Sequence, residues 1–159
     1  LGDVYKRQDY VMDTVKDQFV LFIVMFIVGI LFNPMNILAY SFSDLYLSLT
    51  LIYGGLLMAS NMIWSHQIVN YLSMGHFNKT IFLCGICLSF FSVFLLRSQL
   101  FVSSDNWLRR MIGHHSTALT TTNQLLKNKK YLENENIFRL AKDIIYTQKS
   151  EIETMKNFL

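Results

Sequence analysis

Three long apolar runs fill the first two thirds of the chain, and two amphipathic segments make up the rest. The runs cover residues 19–40, 45–71 and 81–101. Each has about the 20 residues that an α-helix needs to cross a hydrocarbon layer about 30 Å thick. Between Phe19 and Leu96 the only formally charged residues are Asp44 and Lys79. Such stretches find their best solvent in lipid, so the pattern predicts three transmembrane helices. Pro34 should kink the first near its far end, and a helix stopping at Phe32 would be short for a span. Polar links at residues 41–44 and 73–80 separate the runs. Gly55 and Ala59 offer a small-x-x-x-small face for close helix packing, or are simply small residues in an apolar helix.

The pattern changes after Phe101. Leu108, Met111, Ile112, His115, Leu119 and Leu126 recur at helical spacing. Ser103, Ser104 or Asp105 can cap this helix. Asn128-Lys129-Lys130-Tyr131, with Asn134 and Asn136, reads as a turn. A second helix follows, with Ile137, Leu140, Ala141, Ile144, Gln148, Ile152, Met155 and Leu159 along one face. A hairpin alone has a thin core, so its apolar face needs a partner. The candidates are the membrane surface and a second copy of the chain. We expect the second, a homodimer completing a four-helix bundle.

The fold class is therefore all-α, a three-helix transmembrane region followed by a helical hairpin. Residues 1–8 resemble a read-end artefact and are set aside. Residues 9–18 form an N-terminal segment, 19–102 the membrane region and 103–159 the hairpin.

Composition narrows the function. The net charge is only +3, and the basic residues are interleaved with apolar helical positions, so no nucleic-acid surface is expected. Lys16 and Lys79 on one side of the membrane nearly balance Arg97, Arg109 and Arg110 on the other, so charge does not set the orientation. The two cysteines, Cys84 and Cys87, lie in an apolar run and are not a secreted disulfide framework. No nucleophile–base set, zinc-protease pattern or phosphate loop is present, and no enzymatic activity is expected.

Met111-Ile112-Gly113-His114-His115 is the stretch richest in chemistry. Met111 and His115 are one turn apart and share a face, whereas His114 points about 100° away. A thioether and an imidazole so placed suit copper(I), while magnesium and calcium prefer oxygen. Met155 is a further ligand candidate, because the end of the second helix lies beside the start of the first. The competing reading makes Met111 and His115 ordinary core or interface residues.

Soft ligands also occur in the membrane half. Met58, Met62 and His66 are spaced four apart on the second span, and Cys84 and Cys87 lie at the same membrane end of the third. Met74 and His76 sit in the link between them. A second soft-metal site or access path is one reading. The stronger one is that these are lipid-facing methionines, small apolar cysteines and a hydrogen-bonded histidine. A redox pair of Cys84 and Cys87 is disfavoured, since apolar surroundings make thiols inert.

The stretch from Trp107 through Met111-Ile112-Gly113-His114-His115-Ser116 to Ala118 resembles the signature of the family named domain of unknown function 305. The run from Leu140 through Gln148, Glu151-Ile152 and Met155 is similar to that family's closing helix. The likeness is clearest over residues 105–159, and the three-span layout is similar to a membrane-anchored bacterial subgroup. The resemblance implies a hairpin like half of a ferritin-like four-helix bundle, and copper binding or tolerance. It implies metal ligands at Met111, His114, His115 and Met155, with Glu151 orienting an imidazole. It also implies a multi-pass cell (inner) membrane protein with the hairpin extracytoplasmic. Gly113 stands where the family has Pro, which leaves the backbone looser there. The function expected is envelope metal handling or tolerance by a membrane-anchored copper-binding protein. The alternative is a structural or interaction protein whose hairpin drives homo-oligomerisation without metal.

Overall fold

Asn33 and Pro34 end the first apolar helix outright. The Asn33 side chain accepts hydrogen bonds from the backbone N–H groups of Met35 (3.0 Å) and Asn36 (3.1 Å), and Pro34 occupies the first position of a new short helix. Both residues favour starting a helix over continuing one. The expected kink is therefore a break, and the run 19–40 is not a single helix.

The computed structural model describes residues 2–128 and 134–159, with side chains from residue 15 onward. The described residues are helical, with no strand. The order is α1 (Gly2–Leu31), α2 (Pro34–Ile37), a 3-10 turn (Phe42–Asp44), α3 (Leu49–Met74), α4 (Lys79–Ser98), α5 (Ser104–Lys127) and α6 (Glu135–Lys156). Most boundaries have a local chemical cause. Asn78 caps α4 by accepting from Thr80 and Ile81 N–H, and Ser103 caps α5 by accepting from Asn106 N–H. Of the three residues expected to cap α5, Ser103 does so. Gly75 follows α3 with φ of +72°, a value glycine adopts without strain. α4 ends differently. Gln99 (φ 49°) and Phe101 (φ 60°) are both left-handed, and the Leu100 carbonyl between them accepts the Tyr53 hydroxyl at 2.7 Å. Part of the expected turn at residues 128–131 lies outside the described residues; Asn128 and Asn134 flank it as the ends of α5 and α6.

Two bodies result. One is formed by α1 with residues 52–100, and the other by residues 32–51 with α5 and α6. In the first body, helices approach where side chains are smallest. A Cβ on Gly29 would come within 3.0 Å of Gly55 Cα, and one on Gly55 within 2.7 Å of Ile30 Cγ1. A Cβ on Gly85 would meet the Trp64 backbone nitrogen at 3.0 Å. Ala59 is fully buried, so both small residues noted on α3 do face neighbours. The buried Ser60 and Ser92 hydroxyls donate to carbonyls four residues back in their own helices, so neither hydroxyl lacks an acceptor.

Val15–Ile37 and Lys79–Ser98 are long and apolar enough to cross a membrane, and only 6% and 17% of their apolar windows are buried. α3 has 26 residues but also carries Asn61, His66, Gln67 and Asn70, and does not reach the same apolarity. Phe19, Leu83, Phe90 and Phe94 all point outward.

Candidate functional site

The second body is built on the α5–α6 hairpin. Ile112, Leu119, Ile152 and Met155 form its buried core, with Tyr46, Leu108, Met111 and Ile145 packed against it. Ala141 is also buried, but Ile137, Leu140 and Leu159 of the expected face are exposed. The hairpin core therefore gathers toward the α5 start and the α6 end, away from the turn.

That end holds the sequence-predicted ligands. His115 Nδ1 lies 3.0 Å from Glu151 Oε2. Four residues separate Met111 from His115, and four separate Glu151 from Met155. An antiparallel pair that sets His115 against Glu151 therefore brings Met111 and Met155 level, one turn along. Both methionines indeed pack on the same core. His114 is exposed, its ring 6.0 Å from that of His115 and nearly edge-on at 67°.

The His115–Glu151 contact is close but not aligned. Nδ1 is buried and its contact with the carboxylate is poorly aligned, so Glu151 acts on it chiefly through charge. Burial is the main influence and lowers the imidazole's affinity for a proton, and His114 lowers it further. Glu151 opposes both without reversing them. His115 is thus held neutral, the form that offers a nitrogen lone pair to a metal.

A soft ion fits this donor set better than a hard one. Among the described residues, no three His, Cys, Asp or Glu side chains gather as a metal-holding group. A metal held here would depend on the Met111 and Met155 thioethers beside the His115 imidazole, a donor set that copper(I) accepts. With Nδ1 turned to Glu151 at 3.0 Å, the nitrogen that His115 would offer such an ion is Nε2.

The membrane-half ligands do not converge. His66 pairs through Nδ1 with the Gln18 amide at 2.7 Å. Cys84 and Cys87 are free and exposed, and Met58 is 40% exposed beside Gly29. Met62 is partly buried, while Met74 and His76 are exposed, His76 Nδ1 lying 2.9 Å from the Met74 carbonyl.

One element of the site was not read from the sequence. Asp44, only 3% exposed, reaches both helices of the hairpin. It accepts the Ser116 hydroxyl at 2.6 Å and Lys156 Nζ at 2.5 Å. Ser116 in turn accepts the Tyr40 N–H at 2.7 Å. Ser116 follows His115 and Lys156 follows Met155, so this carboxylate pins the neighbours of two candidate ligands. The available signal was that Asp44 is an isolated acid in an apolar stretch, which must find a partner when buried. The Leu49 N–H and Asn106 Oδ1 (2.9 Å) add a second tie between the same segments.

Gly113 faces this loop with room to spare. A Cβ there would meet Met35 Cε at 3.9 Å and the Asp44 carbonyl at 4.0 Å, which are ordinary contacts.

The comparisons with known proteins agree with this architecture in extent. The family described as "Domain of unknown function (DUF305)" matches residues 99–159, which span α5 and α6. An uncharacterized protein of Acanthamoeba polyphaga mimivirus is 34% identical over 134 residues, covering 84% of this chain and 85% of that protein. No solved structure matches the chain. With the family match on the hairpin and a relative similar along most of its length, this chain belongs to the DUF305 family.

Proposed function

We propose that this chain is a membrane-anchored metal-binding protein that holds copper(I) in envelope metal handling or tolerance. Three spans, α1, α3 and α4, would carry an extracytoplasmic hairpin that resembles half of a ferritin-like bundle. A homodimer would complete the bundle, covering the exposed Ile137, Leu140 and Tyr146 of α6.

Span parity supports α3 as a membrane helix despite its polar residues. Asp44 precedes α3 and Lys156 follows α4, and the two side chains meet. The number of crossings between them must then be even, so a membrane-crossing α4 brings α3 with it. The 26 residues of α3 extend about 39 Å, enough to span.

The metal reading rests on one observation, the part-buried His115 one turn from Met111, with Met155 packed on the same core. Met111, His115 and Met155 would hold the ion, with His114 at the exposed flank and Glu151 steadying His115. The competing reading, a hairpin that assembles without metal, draws on the same exposed α6 residues and needs none of the ligands.

The test is copper(I) titration against a competing chromophoric chelator, using the full chain in detergent. Cys84→Ser and Cys87→Ser should be present throughout, so that exposed thiols do not compete. Met111→Leu and His115→Ala should each weaken binding by about tenfold or more, the scale seen when metal-site groups are removed. Equal affinity in the parent and both variants would leave assembly without metal as the function.

A further inference from the structure

The body formed by residues 32–51, α5 and α6 has a shallow recess of about 10 Å³. Arg109 and Arg110 of α5 line it, opposite Asn36, Tyr46 and Ser48. The Arg109 guanidinium lies over the Tyr46 ring, 5.6 Å from its centre. Stacking of this kind holds the planar group while leaving its edge N–H donors free.

Arg110 is partly buried. Among the described residues, no carboxylate or carbonyl pairs with it. The acid lining the recess, Asp44, is already engaged by Lys156 and Ser116. Two adjacent guanidinium groups thus share a concavity without an available counter-charge. Withdrawing a cation from water is unfavourable unless an anion replaces the lost hydration.

The position of the recess identifies the anion. Asn36 lies five residues beyond the end of α1, and Ser48 immediately precedes α3. Both lie by the ends of the proposed spans, close to the depth of lipid phosphates. A guanidinium fork matches the oxygens of a phosphate in a two-point contact. We infer that Arg109 and Arg110 bind the phosphate of a lipid headgroup and so fasten the hairpin to the outer leaflet. This assignment rests on the membrane part of the reading above and is independent of copper.

Native mass spectrometry of the full chain, released from a neutral detergent, tests the assignment. Three probes are added separately: phosphatidylglycerol, a galactosyl diacylglycerol without phosphate, and inorganic phosphate. The parent should retain phosphatidylglycerol and not the galactolipid. Arg110→Gln should reduce retention at least tenfold, and Arg110→Lys, which keeps the charge and loses the fork, should reduce it less. Arg97→Gln, at the end of α4 and outside the recess, should leave retention unchanged. Far-ultraviolet circular dichroism of each variant checks that it is folded, and Arg110→Lys carries the test if Arg110→Gln is not. Equal phosphatidylglycerol retention by the parent and the folded Arg110 variants would overturn the assignment. So would equal retention of the galactolipid, or binding of inorganic phosphate with no lipid retained. A chain that stays monodisperse without detergent would instead overturn the membrane reading itself.

Discussion

The Asp44 carboxylate meets Lys156 Nζ at 2.5 Å across 112 residues of chain. This contact ties the link between α1 and α3 to the last turn of α6. Asp44→Asn should destabilise the protein by about 1–3 kcal/mol, because a buried polar group loses its charged partner while the part-exposed lysine regains some water. Adding Lys156→Met should recover part of that loss. Thermal unfolding of the four proteins of this double-mutant cycle in detergent gives the coupling. A coupling near zero would mean that the contact contributes nothing.

The pH response of the hairpin should carry the sign set by His115. Its folded-state proton affinity lies below the ordinary histidine value, chiefly through burial. In the unfolded chain, the imidazole takes up its proton at that ordinary value. The stabilising contribution is therefore complete above the unfolded value, and declines as pH falls from there toward the folded value. Glu151→Gln should shift the His115 titration to lower pH, and His114→Gln should shift it to higher pH. Histidine ring resonances followed by NMR report both shifts directly. Unchanged titrations would show that the neighbouring charges do not act on His115.

Gly113→Ala should be stabilising by about 0.5–1 kcal/mol. The added methyl meets only ordinary contacts at 3.9 and 4.0 Å, and alanine restricts the unfolded chain. A loss of stability would mean that α5 and the 32–51 link are packed more tightly than their distances indicate.

Neighbouring glycines on α3 should respond in opposite ways. A Cβ on Gly55 would meet Ile30 Cγ1 at 2.7 Å and the Phe26 carbonyl oxygen at 3.1 Å, whereas one on Gly54 meets nothing within 4 Å. Gly55→Ala should push α1 and α3 apart and lower the unfolding midpoint in denaturing detergent. Gly54→Ala should leave it unchanged or raise it slightly. Equal responses would argue against a close α1–α3 approach at this level.

Core and face positions of the hairpin should separate as clearly. Ile112 is fully buried, so Ile112→Ala should cost about 2–5 kcal/mol. Leu140 is 59% exposed, and Leu140→Ala should change the stability of the monomer by less than about 0.5 kcal/mol. A larger loss at Leu140 that grows with protein concentration would locate the dimer contact there.

Local signals made most of the helices legible. The apolar runs, the 3.6-residue period after Phe101, and the caps at Asn78 and Ser103 all act within a few residues. The Met111–His115 spacing and the nearness of Met155 followed from helix geometry alone. Partnerships across the chain were not legible. Nothing near Asp44 names Ser116 or Lys156, and only its isolation in an apolar stretch hinted at a role. Connectivity placed His66, Cys84 and Cys87 at one membrane end, but the rotation of each helix about its axis decides whether they meet. That rotation is set by Gly55 against α1 and Gly85 against Trp64, contacts that no single helix encodes. The exposure of Ile137 and Leu140 has the same origin, since periodicity defines a face but not how far along it a neighbour extends.

The passage from α4 to α5 places two residues with side chains, Gln99 and Phe101, in the left-handed region where glycine would be easier. The carbonyl between them is fastened by the Tyr53 hydroxyl. A turn built from torsion angles is indifferent to ionic strength, unlike one held by surface charges. The turn that ends α4 is therefore set mechanically, and should persist in brine or acid that would loosen an ion-paired one.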